Sequence, residues 1–555
     1  MFFLCLCMPR VAAQPPDTPA VNVREAKSDT IVSKLKTYAG RKGIIPRLLR
    51  SILVMDEAPT SSQAIENNKE AADVTFNPYE GKFIRNIRIQ TLDPFGHRLN
   101  DTFSRPKSVV QKAGNLLHYP TRSWIIVNKL LFEPGDSVRS FELSESERLL
   151  RSSPYIVEAW IHVMPFDSAN DSVDILVVVQ DQWSISAGAA GDYKNKNGSF
   201  WLKDQNFLGL GQQFENRLKY DDKLTNPWQY HFYYRVSEIA NTYISAEAYY
   251  STEGLNRRRG LRLSRPFFTA ALHTAGGLTM ETIKEEFNEY LPDLTHIVGI
   301  RTWRNYDAWL GYTFDIGRKP ARIETRTLCM IGGRVNQRVN AWPPPEGLEL
   351  RFQDQVIYLG SLGIGHRRYY KDKYIFGLGR TEDIPTGHLI TFTAGMEYGT
   401  FTKRPYAGFK ASIGDVVSFG YLFAAAEGGS FKNNGNWEQG VINLQFLYFT
   451  NIVSMGNWKM RHYLWHRWVY GHNRKPGENI NINRDQGLRG FNSGNLISHG
   501  TQKMVLNYEV DFFSPFRPLG FNMAFVLFTD IAFIGTDDDG IFSRPPLQGY
   551  GIGLS

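Results

Sequence analysis

Cysteine is nearly absent from this sequence. There are 3 in 555 residues, and Cys5 and Cys7 fall within the first ten, which leaves Cys329 alone downstream. One thiol builds neither an intramolecular disulfide framework nor a cysteine metal site. Long hydrophobic runs are also missing. Past the N-terminus no run of about 18 apolar residues occurs, which excludes a membrane-spanning helix. Catalytic signatures are lacking too: no Gly-x-Ser-x-Gly elbow, no phosphate loop, no His-Glu-x-x-His. The expectation is a protein that is not an enzyme and uses no cofactor and no metal. The net charge is +8, yet no basic helix or aromatic–basic motif accompanies it, so nucleic acid is not an expected partner.

What is abundant is aromatic residues and glycine. Aromatics make up 14% of the chain, with 36 Phe, 27 Tyr and 12 Trp, beside 49 Gly. The charged fraction of 21% excludes a disordered chain. The start, MFFLCLCMPRVAAQ, has a short apolar run followed by the small residues Val11, Ala12 and Ala13, and reads as a signal peptide over 1–13. An exported chain without a helical span is either soluble or a β-barrel.

Residues 14–80 read as a helical and linker segment. Ile31, Leu35 and Tyr38 share one helical face, Pro46 interrupts, and Leu49 and Leu53 begin a second short stripe before a polar linker at 54–80. Residues 81–183 read as a small α/β domain ordered strand, helix, helix, strand, strand. KFIRNIRIQTL is the first strand, and 93–120 an insertion. TRSWIIVNKLLF carries Trp124, Val127 and Leu131 at helical spacing, and SFELSESERLLR is a second helix with Ser140 as its N-cap. Two strands follow, one presenting Val157, Ala159, Ile161 and Val163, the other Val173, Ile175, Val177 and Val179.

From residue 184 to the end, helical patterns nearly vanish. Roughly fourteen to sixteen segments of about ten residues alternate apolar and polar positions between Gly/Asn/Asp/Pro turns, which is the transmembrane-barrel pattern. In FNMAFVLFTDIAF, Phe521, Met523, Phe525, Leu527, Ile531 and Phe533 form a greasy row, while Asp530 lies on the other face. In MVLNYEVDFF, Leu506, Tyr508, Val510 and Phe512 oppose Asn507, Glu509 and Asp511. Carboxylates are costly against lipid, so Glu509, Asp511 and Asp530 are expected to face the lumen. Arg489, between Gly487-Leu488 and Gly490-Phe491, lies just before these strands and is placed to pair with them by charge-assisted bonds.

These residues resemble the outer-membrane assembly factors of the BamA/TamA type, with the two-partner-secretion transporters and chloroplast outer-envelope relatives: POTRA domains followed by a bacterial surface antigen barrel. GLRGF is similar to that family's inward loop motif, with Leu488, Arg489, Gly490 and Phe491 in its four places. FTD, Phe528 to Asp530, is similar to its strand motif, and Glu509 to its acidic position. DQNFLGLG, Asp204 to Gly211, and LSRPFF, Leu263 to Phe268, resemble two further motifs. The resemblance covers about 83 to 555 and implies a mainly β chain: a 16-stranded barrel over 184–555 behind a POTRA-like domain. It also implies a lumen latch of Arg489, Gly490, Phe491, Glu509, Phe528 and Asp530.

Two features depart from the pattern. Only one POTRA-like module is evident, and the chain stops at GYGIGLS without aromatic-ended final strands. The expectation is a C-terminally truncated barrel that does not close. The implied function is assembly, insertion or translocation of polypeptide by non-covalent strand pairing. The alternative is a two-partner-secretion-like transporter or pore. The implied place is the bacterial outer membrane, with the N-terminal domain in the periplasm. The implied partners are the lipid bilayer, an unfolded or secreted polypeptide, and periplasmic accessory proteins. Among minor motifs, His462 and His466 in HYLWH are expected in a strand belt rather than at a metal. Gly209 and Gly211, like Gly363 and Gly365, are expected in turns or bulges, and Arg257 to Arg259 in a solvated loop.

Overall fold

A computed structural model of the chain describes residues 53–54, 74–96, 105–106, 108–166, 171–192, 194, 196–239, 241–267, 269, 272–290, 296–316, 327–475, 478–482, 487–490, 499–518, 521–537 and 539–555. The expected signal peptide, the helices of 31–52 and most of the 54–80 linker lie outside these residues. Leu53 and Val54 are extended and pair antiparallel with Pro518 and Arg517, so Leu53 does not continue a helical stripe.

The N-terminal region is a small α/β unit. Strand β1 (Phe83–Leu92) leads to helices α1 (Val109–Leu117), α2 (Ser123–Val127) and α3 (Ser140–Arg151), then to β2 (Ile156–Pro165) and β3 (Ser172–Asp181). The sheet order is β1-β3-β2, with β3 parallel to β1 and antiparallel to β2. Val173, Ile175, Val177 and Val179 of the central strand are fully buried, and Phe76, Ile126, Leu143 and Leu150 close over them. Burial of these side chains at roughly 1.5–3 kcal/mol each is what holds so small a unit together.

Local departures from the alternation have identifiable causes. A bulge between Ile156 and Glu158 puts Ile156 into the core instead of Val157. The expected insertion at 93–120 contains α1, started by a capping box between Ser108 and Gln111. In TRSWIIVNKLLF the buried apolar residues are Ile125, Ile126, Leu130 and Phe132, while Trp124 and Val127 point outward. The helix there is five residues long, and turns carry the chain inward again after it, so a single helical period misassigns the face. Arg139, not Ser140, is the N-cap of α3, and Ser140 donates from its backbone nitrogen and hydroxyl to the Glu80 carboxylate.

The remainder is an antiparallel barrel. Its first strands are β4 (Ile185–Asp192), β5 (Asn197–Asp204), β6 (Gln212–Asp221), β7 (Trp228–Val236), β8 (Ser245–Glu253) and β9 (Asn256–Arg265). The longest strands follow: β10 (Thr274–Tyr290), β11 (His296–Ile316), β12 (Thr327–Asn340), β13 (Gln355–Lys373), β14 (Thr381–Gly399) and β15 (Lys403–Val417). The last are β16 (Gly420–Asn433), β17 (Asn436–Thr450), β18 (Trp458–His472), β19 (Gln502–Phe513), β20 (Ala524–Gly535) and β21 (Leu547–Leu554). Val453–Met455 extends β17, since both pair with β18. The described residues therefore form eighteen staves rather than sixteen.

The ring is closed, with β21 beside β4. The expectation that the ring does not close is corrected: Leu547–Leu554 pairs with β20 along its whole length and stands beside β4. Very tight turns hid staves from the sequence count. Gly254-Leu255 and Ser418-Phe419 each reverse the chain in two residues.

Exposure alternates along β12, β13, β14 and β21. Leu261, Leu310, Leu362, Phe392 and Ile413 face outward and are 59–70% exposed. The inward rows carry ion pairs such as Arg334–Asp307 and Arg404–Glu397. This apolar-out, polar-in order is the reverse of a soluble core and matches a wall with lipid outside. Arg257 to Arg259 lie in β9 rather than in a loop, and Arg258 points inward to Glu281. Gly363 and Gly365 lie within β13, and His462 and His466 within β18.

Candidate functional site

The connection from β18 to β19 folds into the barrel. A two-residue ladder, Ile480–Asn481 with His499–Gly500, narrows its base. Ile482 and Leu488 are buried against Val505, Ala532 and Ile534, which anchors the loop to the inner wall. Gly490 has φ +76°, a left-handed conformation that glycine adopts without strain. Phe491 lies outside the described residues.

At this turn Arg489 meets the wall. Its Nε and Nη2 donate to the two carboxylate oxygens of Asp530 at 2.9 and 2.7 Å, and its backbone nitrogen donates to Asp530 Oδ2 at 3.0 Å. Nη1 donates to Glu509 Oε2. The guanidinium lies 3.8 Å from the Phe528 ring centroid. Asp530 and Glu509 are fully buried. Strand register explains the convergence: Asn507 stands opposite Asp530 and Glu509 opposite Phe528, so the two carboxylates are diagonal neighbours on one inward face. Such a cluster is self-neutralising in part: two carboxylates share one guanidinium that supplies planar, bidentate donors. Asp511, also inward, stands opposite Arg461 instead of Arg489.

Several participants carried no obvious sequence signal. Gly549 and Gly551 of β21 stand opposite Asp530 and Phe528. A Cβ on Gly551 would come within 2.3 Å of the Phe528 ring, and one on Gly549 within 2.7 Å of the Arg489 carbonyl oxygen. The alternate glycines of GYGIG thus flatten the wall where the loop lies. Asn507 also donates to the Gly487 carbonyl at 3.3 Å.

A second inward element is the β13–β14 connection, Tyr374 to Arg380. Ile375 and Phe376 pack with Tyr421, Phe449 and Tyr463, aromatics of β16, β17 and β18. The outer face of the same hairpin receives the α/β unit. Arg151 donates to both oxygens of Asp383 at 2.9 and 2.7 Å, Lys371 to Glu147 at 2.7 Å, and Thr381 to Glu158 at 2.7 Å. Elsewhere on the ring, Asn206 of the DQNFLGLG turn donates to Thr121 at 2.9 Å and Lys129 pairs with Glu238. A Cβ at Gly209 would come within 2.3 Å of the Pro120 carbonyl oxygen, so that glycine admits the docked chain. The α/β unit is therefore held at widely separated staves of one barrel mouth. Among the described residues no cluster of three or more His, Cys, Asp or Glu is arranged to hold a metal.

The class so defined is a closed antiparallel barrel, apolar outside, with an internal loop bound to its wall and an α/β unit across one mouth. No family model and no curated protein matches the sequence. Among solved structures the chain is similar to BamA from Haemophilus ducreyi lacking POTRA domains 1-3, at 11% identity over 85% of this chain and 78% of that chain with a TM-score of 0.30. It is also similar to CdiB from Acinetobacter baumannii, at 10% identity over 96% and 88% with a TM-score of 0.36. CdiB from Escherichia coli gives 10% identity over 99% and 91%, with a TM-score of 0.38.

Proposed function

We propose that the protein is a bacterial outer-membrane factor that inserts or translocates polypeptide by strand pairing, without covalent chemistry. The observation that carries this reading is a three-stranded sheet held across a barrel mouth with β1 as an outer strand. In the order β1-β3-β2, β2 is tied to the barrel through Glu158, and its outer edge is bonded to Arg151 and Glu147 at Ala159 and Ile161. β1 is bonded to the 135–138 segment at its start, so the Asn86–Leu92 stretch of β1 is the edge that would meet an arriving segment. A free edge offers backbone donors and acceptors to an extended segment of any sequence. The Arg489 cluster acts as a latch that keeps the lumen loop seated while β21 and β4, at the ring closure, serve as the strands nearest an arriving segment. The N-terminal unit works as a POTRA-like domain in the periplasm.

The test uses full-length protein reconstituted in vesicles. A urea-unfolded small barrel protein is added, and its conversion to the heat-modifiable form is timed. The expected result is faster conversion than in empty vesicles. Equal rates would overturn assembly activity. Fractionation that finds the chain soluble, with no change in gel mobility on heating, would overturn the membrane reading.

A second reading, a two-partner-secretion-like transporter for one dedicated substrate, is supported by the single α/β unit among the described residues. A large secreted protein encoded beside this gene, exported only when the barrel is present, would select it.

A further inference from the structure

Helix α1 is inside out. Its inner side is polar: Gln111 and His118 are buried, Asn115 exchanges two hydrogen bonds with the Phe95 backbone at 3.0 and 3.2 Å, and His118 Nε2 lies 2.8 Å from Asp181. Gly114 completes that side, where a Cβ would come within 2.8 Å of the Phe95 ring. The outer side carries Val109 and Leu116, 82% and 86% exposed, with Val110 and Leu117 beside them. A surface helix ordinarily buries its apolar stripe and wets its polar one. Here the capping box fixes the helix and the Asp181 and Phe95 contacts fix its rotation, so the apolar side is held outward.

The position of the helix says what covers that side. The Phe95 ring packs against Trp183, two residues before β4, and against Phe521 in the β19–β20 connection, with centroids 5.7 and 5.3 Å apart. α1, bonded to the Phe95 backbone through Asn115, therefore stands at the rim of the barrel beside the start of β4. The chain that follows continues along the same rim: Arg122 donates its backbone hydrogen to Gly209 of the β5–β6 turn, and outward Trp124 lies in α2. Charge agrees with place. No Asp or Glu occurs from Thr102 to Phe132, while Lys112 and Arg122 are exposed beside the apolar face.

We propose that the outer face of α1, led by Leu116 and Leu117, inserts into the headgroup–acyl boundary of the leaflet around the β4–β6 rim, with Lys112 and Arg122 on anionic headgroups. An interfacial helix of this kind seats its apolar side roughly 5–10 Å deep. The bilayer would then hold the α/β unit beside the ring closure in addition to the ion pairs at β14. This inference rests on the membrane reading above.

Full-length chain in vesicles tests it. In a background of Cys5→Ser, Cys7→Ser and Cys329→Ser, single cysteines at Leu116, His162 and Leu527 are labelled with an environment-sensitive fluorophore, and heat-modifiable mobility checks each fold. Quenchers are aqueous iodide and a lipid spin-labelled at a shallow acyl carbon. The expected result is that the Leu116→Cys label is quenched by the lipid and shielded from iodide, that the His162→Cys label behaves oppositely, and that phosphatidylglycerol added to phosphatidylcholine strengthens lipid quenching at Leu116→Cys. Lipid quenching at Leu527→Cys with iodide quenching at Leu116→Cys would overturn this inference alone. Absence of lipid quenching at Leu527→Cys would overturn the membrane reading itself. Lipid quenching at Leu116→Cys that ignores phosphatidylglycerol would overturn the role of Lys112 and Arg122.

Discussion

Arg489 donates three hydrogen bonds to Asp530, one of them from its own backbone nitrogen. The carboxylate thus fixes both the side chain and the turn that carries it. Arg489→Ala leaves Asp530 and Glu509 buried with one fewer cation, and is expected to destabilise the refolded barrel by about 3 kcal/mol. Asp530→Asn is expected to act in the same direction, with the double variant much less than additive. Denaturant melts of the four proteins in lipid measure this, and zero coupling would return the loop to an ordinary surface turn.

Gly551→Val is expected to unseat the loop from the opposite side. Its side chain would occupy the space of the Phe528 ring, which Arg489 covers from above. The expected cost is about 1–3 kcal/mol, the range for overpacking a filled site. Phe528→Leu placed in the same chain should recover part of it, and a melt in which it recovers nothing would show that the ring is not the obstacle.

Asp383→Ala is expected to loosen the α/β unit from the barrel. Arg151 would lose its bidentate partner but keep Glu147 at 3.0 Å, so the expected loss is about 2 kcal/mol, below the ~3–5 kcal/mol of a buried charge stripped bare. Amide exchange should rise in Ile156–Pro165 and Thr381–Gly399 while β19 and β20 stay protected. A rise spread evenly over the barrel would contradict a local interface.

The same interface should respond to acid. Burial pushes the Glu147 carboxyl up, but Lys371, Arg151 and the Ile161 backbone hydrogen together hold it below the usual carboxylate value. A depressed folded value means the stabilisation is complete above the unfolded glutamate value near ~4.3 and is lost as pH falls through the folded one. Docking followed by amide exchange is therefore expected to weaken below about pH 4. Glu147→Gln should flatten that dependence, and an unchanged acid limb would assign it to other carboxylates.

The inward parity of Glu509 and Asp530 was readable because a strand has a period of two, and a carboxylate in the greasy row of Leu527 and Phe525 is too costly to leave there. The predominance of strands from residue 184 onward was readable for the same reason, but the tightest two-residue turns, such as Gly254-Leu255, were not. Trp124 and Val127 were not, because helical spacing marks an apolar face without saying whether protein or another phase covers it. The glycines of GYGIG carry no signal of their own in the sequence, and their use is visible only with Phe528 and the Arg489 carbonyl against them.

The sequence by itself determined which side of β19 and β20 faces in, since the pleat allows only two choices and charge decides between them. It also set the local chemistry of Arg489, with glycine on both sides. Tertiary structure alone decided that eighteen staves close into a ring, that β21 meets β4, and that the β13–β14 hairpin joins the α/β unit to the lumen aromatics. Closure and docking depend on register summed over many strands and on contacts between residues hundreds of positions apart, as between Arg151 and Asp383, and no local period encodes those.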